Sequence, residues 1–156
     1  MANVILDTNI YGKIIEDKRG IELAEKLIKD DKFVIHNFKT IRDELRRAKN
    51  VLKVYDRIVK TRLFNDTKEI DGLAKNYFRE YKKFGGRKQW TRIKNDFKII
   101  AYASIKNCDL VFSNDEKTLK NSASLKSYRM VNLNRKLRTP TFYKYEDLKR
   151  SYSLID

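Results

Sequence analysis

A single cysteine, Cys108, leaves this chain without an internal disulfide, and a single histidine leaves it without a His or Cys cluster of the zinc-binding kind. Cys108 stands just before an apolar strand, as a buried structural thiol or, alternatively, a nucleophile. No apolar run approaches the length of a spanning helix, and no lipidation signal is present. The opening Met-Ala-Asn lacks the charged region and apolar stretch of a secretory signal, so the expectation is a cytoplasmic protein with no membrane partner. There is one proline, Pro140, and no internal repeat, low-complexity tract or linker. The 156 residues suit a single domain, 1–156, with a real core. Acid is scarce beside base: 36 Lys and Arg stand against 21 Asp and Glu, a net charge of +15. Such an excess concentrates polyanions and strengthens their binding through counterion release, which makes nucleic acid the first expected partner.

Val4-Ile5-Leu6 suits a buried strand, and the run breaks into Asp7, Thr8 and Asn9, which are poor strand residues and good ligands. Asp7 either caps a turn or helix there or faces the crevice in which open α/β sheets bind ligands. Residues 11–16 read as a short helical turn, 21–30 as a helix, and 33–36 as a second strand. His36 closes that strand, as a structural or solvated histidine or beside a site. Over 38–48 the pattern is helical with Ile41, Leu45 and Ala48 inward, and Glu44 falls on that stripe while Asp43 points toward Arg46 and Arg47. An inward carboxylate is costly unless paired or bound to a cation, which singles out Glu44.

A basic helical segment at about 50–90 reads as two helices, 51–63 and 69–84, long enough for a clip over one edge of a sheet. Leu73, Tyr77, Tyr81 and Phe84 share one face of the second, as core, dimer interface or base-stacking platform. Gly85-Gly86-Arg87-Lys88-Gln89-Trp90-Thr91-Arg92 is the most loop-like stretch. With Arg87, Lys88, Arg92 and the following Lys94 it either grips a single-stranded polyanion or forms a solvated connection with Trp90 anchored in the core. A helix over 93–106 carries Asp96 on one face with Ile93, Ile100 and Ala103. Residues 110–112 read as a third strand, followed by Ser113-Asn114-Asp115. A short helix is predicted over 116–120, a fourth strand over 128–133, and a turn at Pro140 before Phe142 and a terminal helix from Glu146.

Strands alternating with helices imply a three-layer α/β/α architecture around a mainly parallel sheet of four to five strands. Strand ends and the starts of the helices that flank them then share one edge. Asp7, Glu44, Asp96 and Asp115 all face it, together with the basic loop. Four converging carboxylates repel one another unless some are protonated or a cation is bound. Hard oxygen ligands favour Mg²⁺ or Mn²⁺, and such a site within a basic protein fits metal-assisted phosphodiester hydrolysis.

The strand-Asp-Thr-Asn of VILDTNI, Glu44-Leu45, Asn95-Asp96 leading FKIIAYA, and Leu-Val-Phe-Ser-Asn-Asp at 110–115 together resemble the PIN-domain ribonucleases, most closely the small VapC-type toxins. The resemblance covers residues 4 to about 120, and the ending from Thr139-Pro140 is similar to archaeal members. It implies that Asp7, Glu44, Asp96 and Asp115 form an acidic metal-binding quartet, supported by Thr8, Asn9 and Ser113. It also implies Mg²⁺- or Mn²⁺-dependent endonucleolytic RNA cleavage, a homodimer, and often a protein antitoxin. The segment between Glu44 and Asp96 is unusually basic, and FKIIAYA replaces a commoner alanine-rich helix. Three other readings stay open: an RNA-processing nuclease without an antitoxin, a non-catalytic module that binds RNA or a partner, and a nuclease acting on DNA.

Overall fold

The computed structural model describes residues 1–155. Its first strand, β1 (Ala2–Leu6), is buried from Val4 onward, as three branched aliphatics in a row dictate. The helices α1 (Thr8–Glu16) and α2 (Gly20–Lys29) follow, then β2 (Phe33–Ile35), a two-residue strand β3 (Asn37–Phe38) and α3 (Lys39–Leu45). Next come α4 (Lys49–Ile58), β4 (Leu63–Phe64), α5 (Lys68–Lys83) and α6 (Trp90–Ile105). The chain ends with β5 (Leu110–Phe112), α7 (Ser122–Asn134), β6 (Thr141–Tyr143) and α8 (Tyr145–Arg150).

The main sheet has the order β2-β1-β5-β6, and every pair in it is parallel. Its register sets Leu6 beside Phe112 and Phe112 beside Tyr143, so the chain leaves three strands at one level of the same edge. A second, two-stranded sheet pairs β3 with β4. Helices flank the main sheet, giving the expected α/β architecture with four strands. α6 is buried on nearly every side from Phe97 to Ser104, because it lies against β1, α3 and α5 at once. No helix among the described residues is long and apolar enough to cross a membrane.

Three sequence-based expectations fail. Residues 128–133 are not the fourth strand; they belong to α7, where Ser124, Ser127, Tyr128 and Val131 recur at helical spacing and are buried. Two of those inward positions are serines, which hid the apolar face from a reading of hydrophobic period. The fourth strand is β6, right after Pro140, and its exposed Thr141 and Tyr143 mark it as an edge. Residues 116–120 form turns rather than a helix. The first helix of the basic segment ends at Ile58 rather than at 63, and the chain then passes along the free edge of β2, where the Lys60 N–H donates to the Ile35 carbonyl at 2.8 Å; α4 packs on α1, α2 and α3, while α5 packs on α6 and α7.

Gly20 opens α2 where the backbone leaves no room for a side chain, since an added Cβ would lie 1.7 Å from the Ile14 carbonyl oxygen. Gly20→Ala is therefore expected to destabilise the fold by about 3 kcal/mol, the upper range for overpacking. The check is a urea titration, in which the midpoint falls and the slope stays constant.

Candidate active site

Asp7 is the pivot of the sheet edge. Its backbone N–H donates to the Phe112 carbonyl at 2.9 Å, which locks the end of β1 to the end of β5. The carboxyl is 3 % exposed and accepts three hydrogen bonds. Oδ1 takes the Thr8 N–H at 2.8 Å and so caps α1, while Oδ2 takes Asn9 Nδ2 at 3.0 Å and the Ser113 hydroxyl at 2.6 Å. The cap reading holds for Oδ1, while Oδ2 is held by Asn9 and Ser113. Asn9 reaches on to accept the Asn114 N–H at 3.0 Å, and Ser113 Oγ accepts the Asp115 N–H at 3.0 Å. The Thr8 hydroxyl donates to Glu44 Oε1 at 3.1 Å and ties α3 to the same edge.

The four predicted acids lie close enough at this edge to act on one another's charge. Asp115 accepts the N–H groups of Lys117 and Thr118 at 3.0 and 2.9 Å, together with the Thr118 hydroxyl. Burial above all, with Asp115 as the charged neighbour, raises the Asp7 carboxyl above its ordinary range against the three donors that lower it. Burial in the crevice and then the charge of Asp7 push Glu44 up to about 7. Glu44 itself remains exposed to solvent. Asp96 is also pushed up to about 7, by burial and then by Asp7, Asp115 and Glu44, with Thr118 acting the other way. The charges that act on these acids are chiefly one another. Among the described residues no three His, Cys, Asp or Glu side chains form a ready-made metal cage. The acids share an electric field rather than a finished coordination sphere.

No family model matches the sequence, and no curated protein matches it. A solved structure does. The chain is similar to one in the crystal structure of VapBC2 from Rickettsia felis bound to a DNA fragment from their promoter, with a TM-score of 0.59. The two are 14 % identical, and the match covers 91 % of this chain and 98 % of that one. The fold is PIN-like.

Within this PIN-like fold the remaining candidates separate. Arg87, Lys88 and Arg92 are exposed around the start of α6, and Lys94 is half-buried there. The loop before α6 is pinned to Tyr81, whose carbonyl accepts the Gly86 N–H at 2.8 Å and whose hydroxyl accepts the Lys88 N–H at 2.9 Å. Trp90 is half-buried and meets Phe78 edge-on at 5.4 Å, so it anchors the loop to the core. Leu73, Tyr77 and Tyr81 are buried and Phe84 is exposed, so the stripe is core except at its last residue. His36 is buried between the Tyr102 hydroxyl at 2.8 Å and Asn3 Oδ1 at 3.1 Å, a structural role. Burial pushes the Cys108 thiol up to about 12, which leaves it inert rather than nucleophilic. Two site residues escaped the sequence reading, Thr118 and Asn114. The Asp115-x-x-Thr118 spacing was the available sign of a side-chain-capped turn, hidden by reading 116–120 as a helix.

Proposed function

We propose that this chain is a metal-dependent endoribonuclease, which hydrolyses RNA phosphodiester bonds with Mg²⁺ or Mn²⁺ held at Asp7, Glu44, Asp96 and Asp115. The observation that carries this reading is that four acids from four separate segments act on one another's charge, and that Asp7, Glu44 and Asp96 all resist ionisation. The donor set fits the ion. Hard carboxylate oxygens suit Mg²⁺ or Mn²⁺, and Mg²⁺ needs only one or two carboxylates because it keeps several waters. Asp7 and Asp115, each oriented by three donors, and Glu44 and Asp96, with fewer, would hold it directly or through water.

When bound, the ion supplies neutralisation of the charge that builds on the phosphodiester and acidifies the attacking water. The chain's own residues do the positioning. Thr8, Asn9 and Ser113 fix both oxygens of Asp7, and the Thr8 hydroxyl fixes Glu44 against it. Thr118 does the same for Asp115. The basic surface, including Arg87, Lys88, Arg92 and Lys94, holds the polyanion. The VapC-type resemblance and the likeness to VapBC2 support a further reading: a cytoplasmic toxin that acts as a homodimer and pairs with a protein antitoxin.

Purified protein incubated with structured and unstructured RNA in Mg²⁺ or Mn²⁺ is expected to cut at internal bonds, and to stop in EDTA. Cleavage no greater than that of the Asp7→Asn variant would sink the nuclease reading.

A further inference from the structure

A groove of about 620 Å³ opens beside the acids, between α3 and the first turns of α6. Glu44 lines it, and the same side chain is held at the acid cluster by Thr8, so the groove runs straight off the candidate cleavage centre. Its cations are not equivalent. Lys39 is paired with Asp43 at 2.6 Å, and Lys98, 16 % exposed, is paired with Asp66 at 2.7 Å. Arg47 and Lys94 line the same groove and make no ion pair among the described residues. Lys94 lies two residues before Asp96 on α6, and Arg47 lies three residues after Glu44, just beyond α3.

We propose that this groove holds the RNA strand next to the cleaved bond, with Arg47 and Lys94 each binding a backbone phosphate. The two paired lysines are its walls: their charge is already spent on Asp43 and Asp66. The occupant is a single strand. Two unpaired cations along one narrow groove suit the backbone of one strand, since a positively charged groove that tracks the backbone is how single strands are commonly held. The assignment takes its scissile bond from the nuclease reading, but phosphate binding by the groove needs no catalysis.

The test is therefore a binding measurement in EDTA, using a short fluorescein-labelled single-stranded RNA of mixed sequence and a salt titration. The double variant Arg47→Ala, Lys94→Ala is expected to lower the slope of log K against log salt by about 1.4, two phosphates at about 0.7 each. That difference corresponds to roughly 25-fold weaker binding at about 0.1 M salt. Lys26, in the last turn of α2, and Arg135, just beyond α7 and ahead of β6, are exposed toward the opposite edge, make no ion pair among the described residues, and supply a control pair of equal charge loss. A variant that keeps both charges, Arg47→Lys with Lys94→Arg, is expected to keep the wild-type slope. A slope change no larger than that of Lys26→Ala, Arg135→Ala overturns the assignment, and so does an equal change in the charge-keeping variant. Equal competition by duplex RNA overturns the single-strand form of it. Should the protein cleave RNA while the Arg47, Lys94 variant keeps its slope, the groove falls and the nuclease reading stands. Loss of slope in a protein that never cleaves does the reverse.

Discussion

Replacing Asp96 by asparagine is expected to lower RNA cleavage in saturating Mg²⁺ about a thousandfold, while raising the melting temperature by roughly 2–4 °C in metal-free buffer at about pH 8. The two effects have one cause. Burial, and the charges of Asp7, Asp115 and Glu44, oppose ionisation of Asp96, so near pH 8 the metal-free protein carries a carboxylate that its surroundings disfavour. Asparagine matches the shape of the carboxyl and carries no charge, which relieves the repulsion. Activity moves the other way, because a ligand oxygen is lost from a centre that stabilises transition-state charge by several kcal/mol, and each 1.36 kcal/mol or so is a factor of ten. A carboxylate that merely capped structure would behave differently: its loss would leave catalysis intact and lower stability, typically by about 1 kcal/mol. Thermal melts in EDTA and single-turnover cleavage in Mg²⁺, on the same preparation, separate the two roles. Unchanged cleavage, or a fall in melting temperature without metal, would show Asp96 to be structural.

The fold class and the two strands that carry the candidate site were legible in the sequence, and the reason lies in which strands those are. β1 and β5 are the central strands, buried on both faces, so they stand out as unbroken apolar runs, and the polar residues that end them stand out by contrast. Asp7 and Asp115 follow from that contrast, and Glu44 and Asp96 from helical spacing plus the rule that strand ends and the starts of the flanking helices share an edge. β6 carries no such mark: three half-exposed or exposed residues after a proline look like loop until Thr141–Tyr143 pairs with β5. α7 failed for the opposite reason, since its buried Asn132 and Ser104 of α6 complete a polar core with the Tyr77 hydroxyl that no hydrophobic pattern reveals. The groove was illegible as well. Counting cations does not say that Lys98 is neutralised by Asp66, 32 residues away, while Arg47 has no such partner.

Without metal, the protein is expected to be more stable at about pH 5 than at about pH 8, and Mg²⁺ to stabilise it only at the higher pH. Asp7, Glu44 and Asp96 have folded-state pKa values above those of the unfolded chain, Glu44 and Asp96 at about 7. Between the ordinary carboxylate range and about 7 the folded state therefore binds more protons than the unfolded state, and stability falls as pH rises through that window. Asp17 has the opposite sign, lowered to about 2 chiefly by its hydrogen bond from Lys149, but its stabilisation is lost only as pH falls below the ordinary range. His36 also opposes the trend, since burial lowers its pKa and favours the neutral ring, yet it offers one proton against three. A cation that binds the ionised acids competes with those protons, so its effect on the melt grows with pH. At a hundred times its dissociation constant it adds about 2.7 kcal/mol, roughly 5–11 °C for a chain of this size. Melts in EDTA and in Mg²⁺ at both pH values measure the coupling directly. An equal Mg²⁺ shift at both, or a shift at the higher pH that survives Asp7→Asn together with Asp96→Asn, would place the ion elsewhere on the protein and leave the crevice acids without a metal.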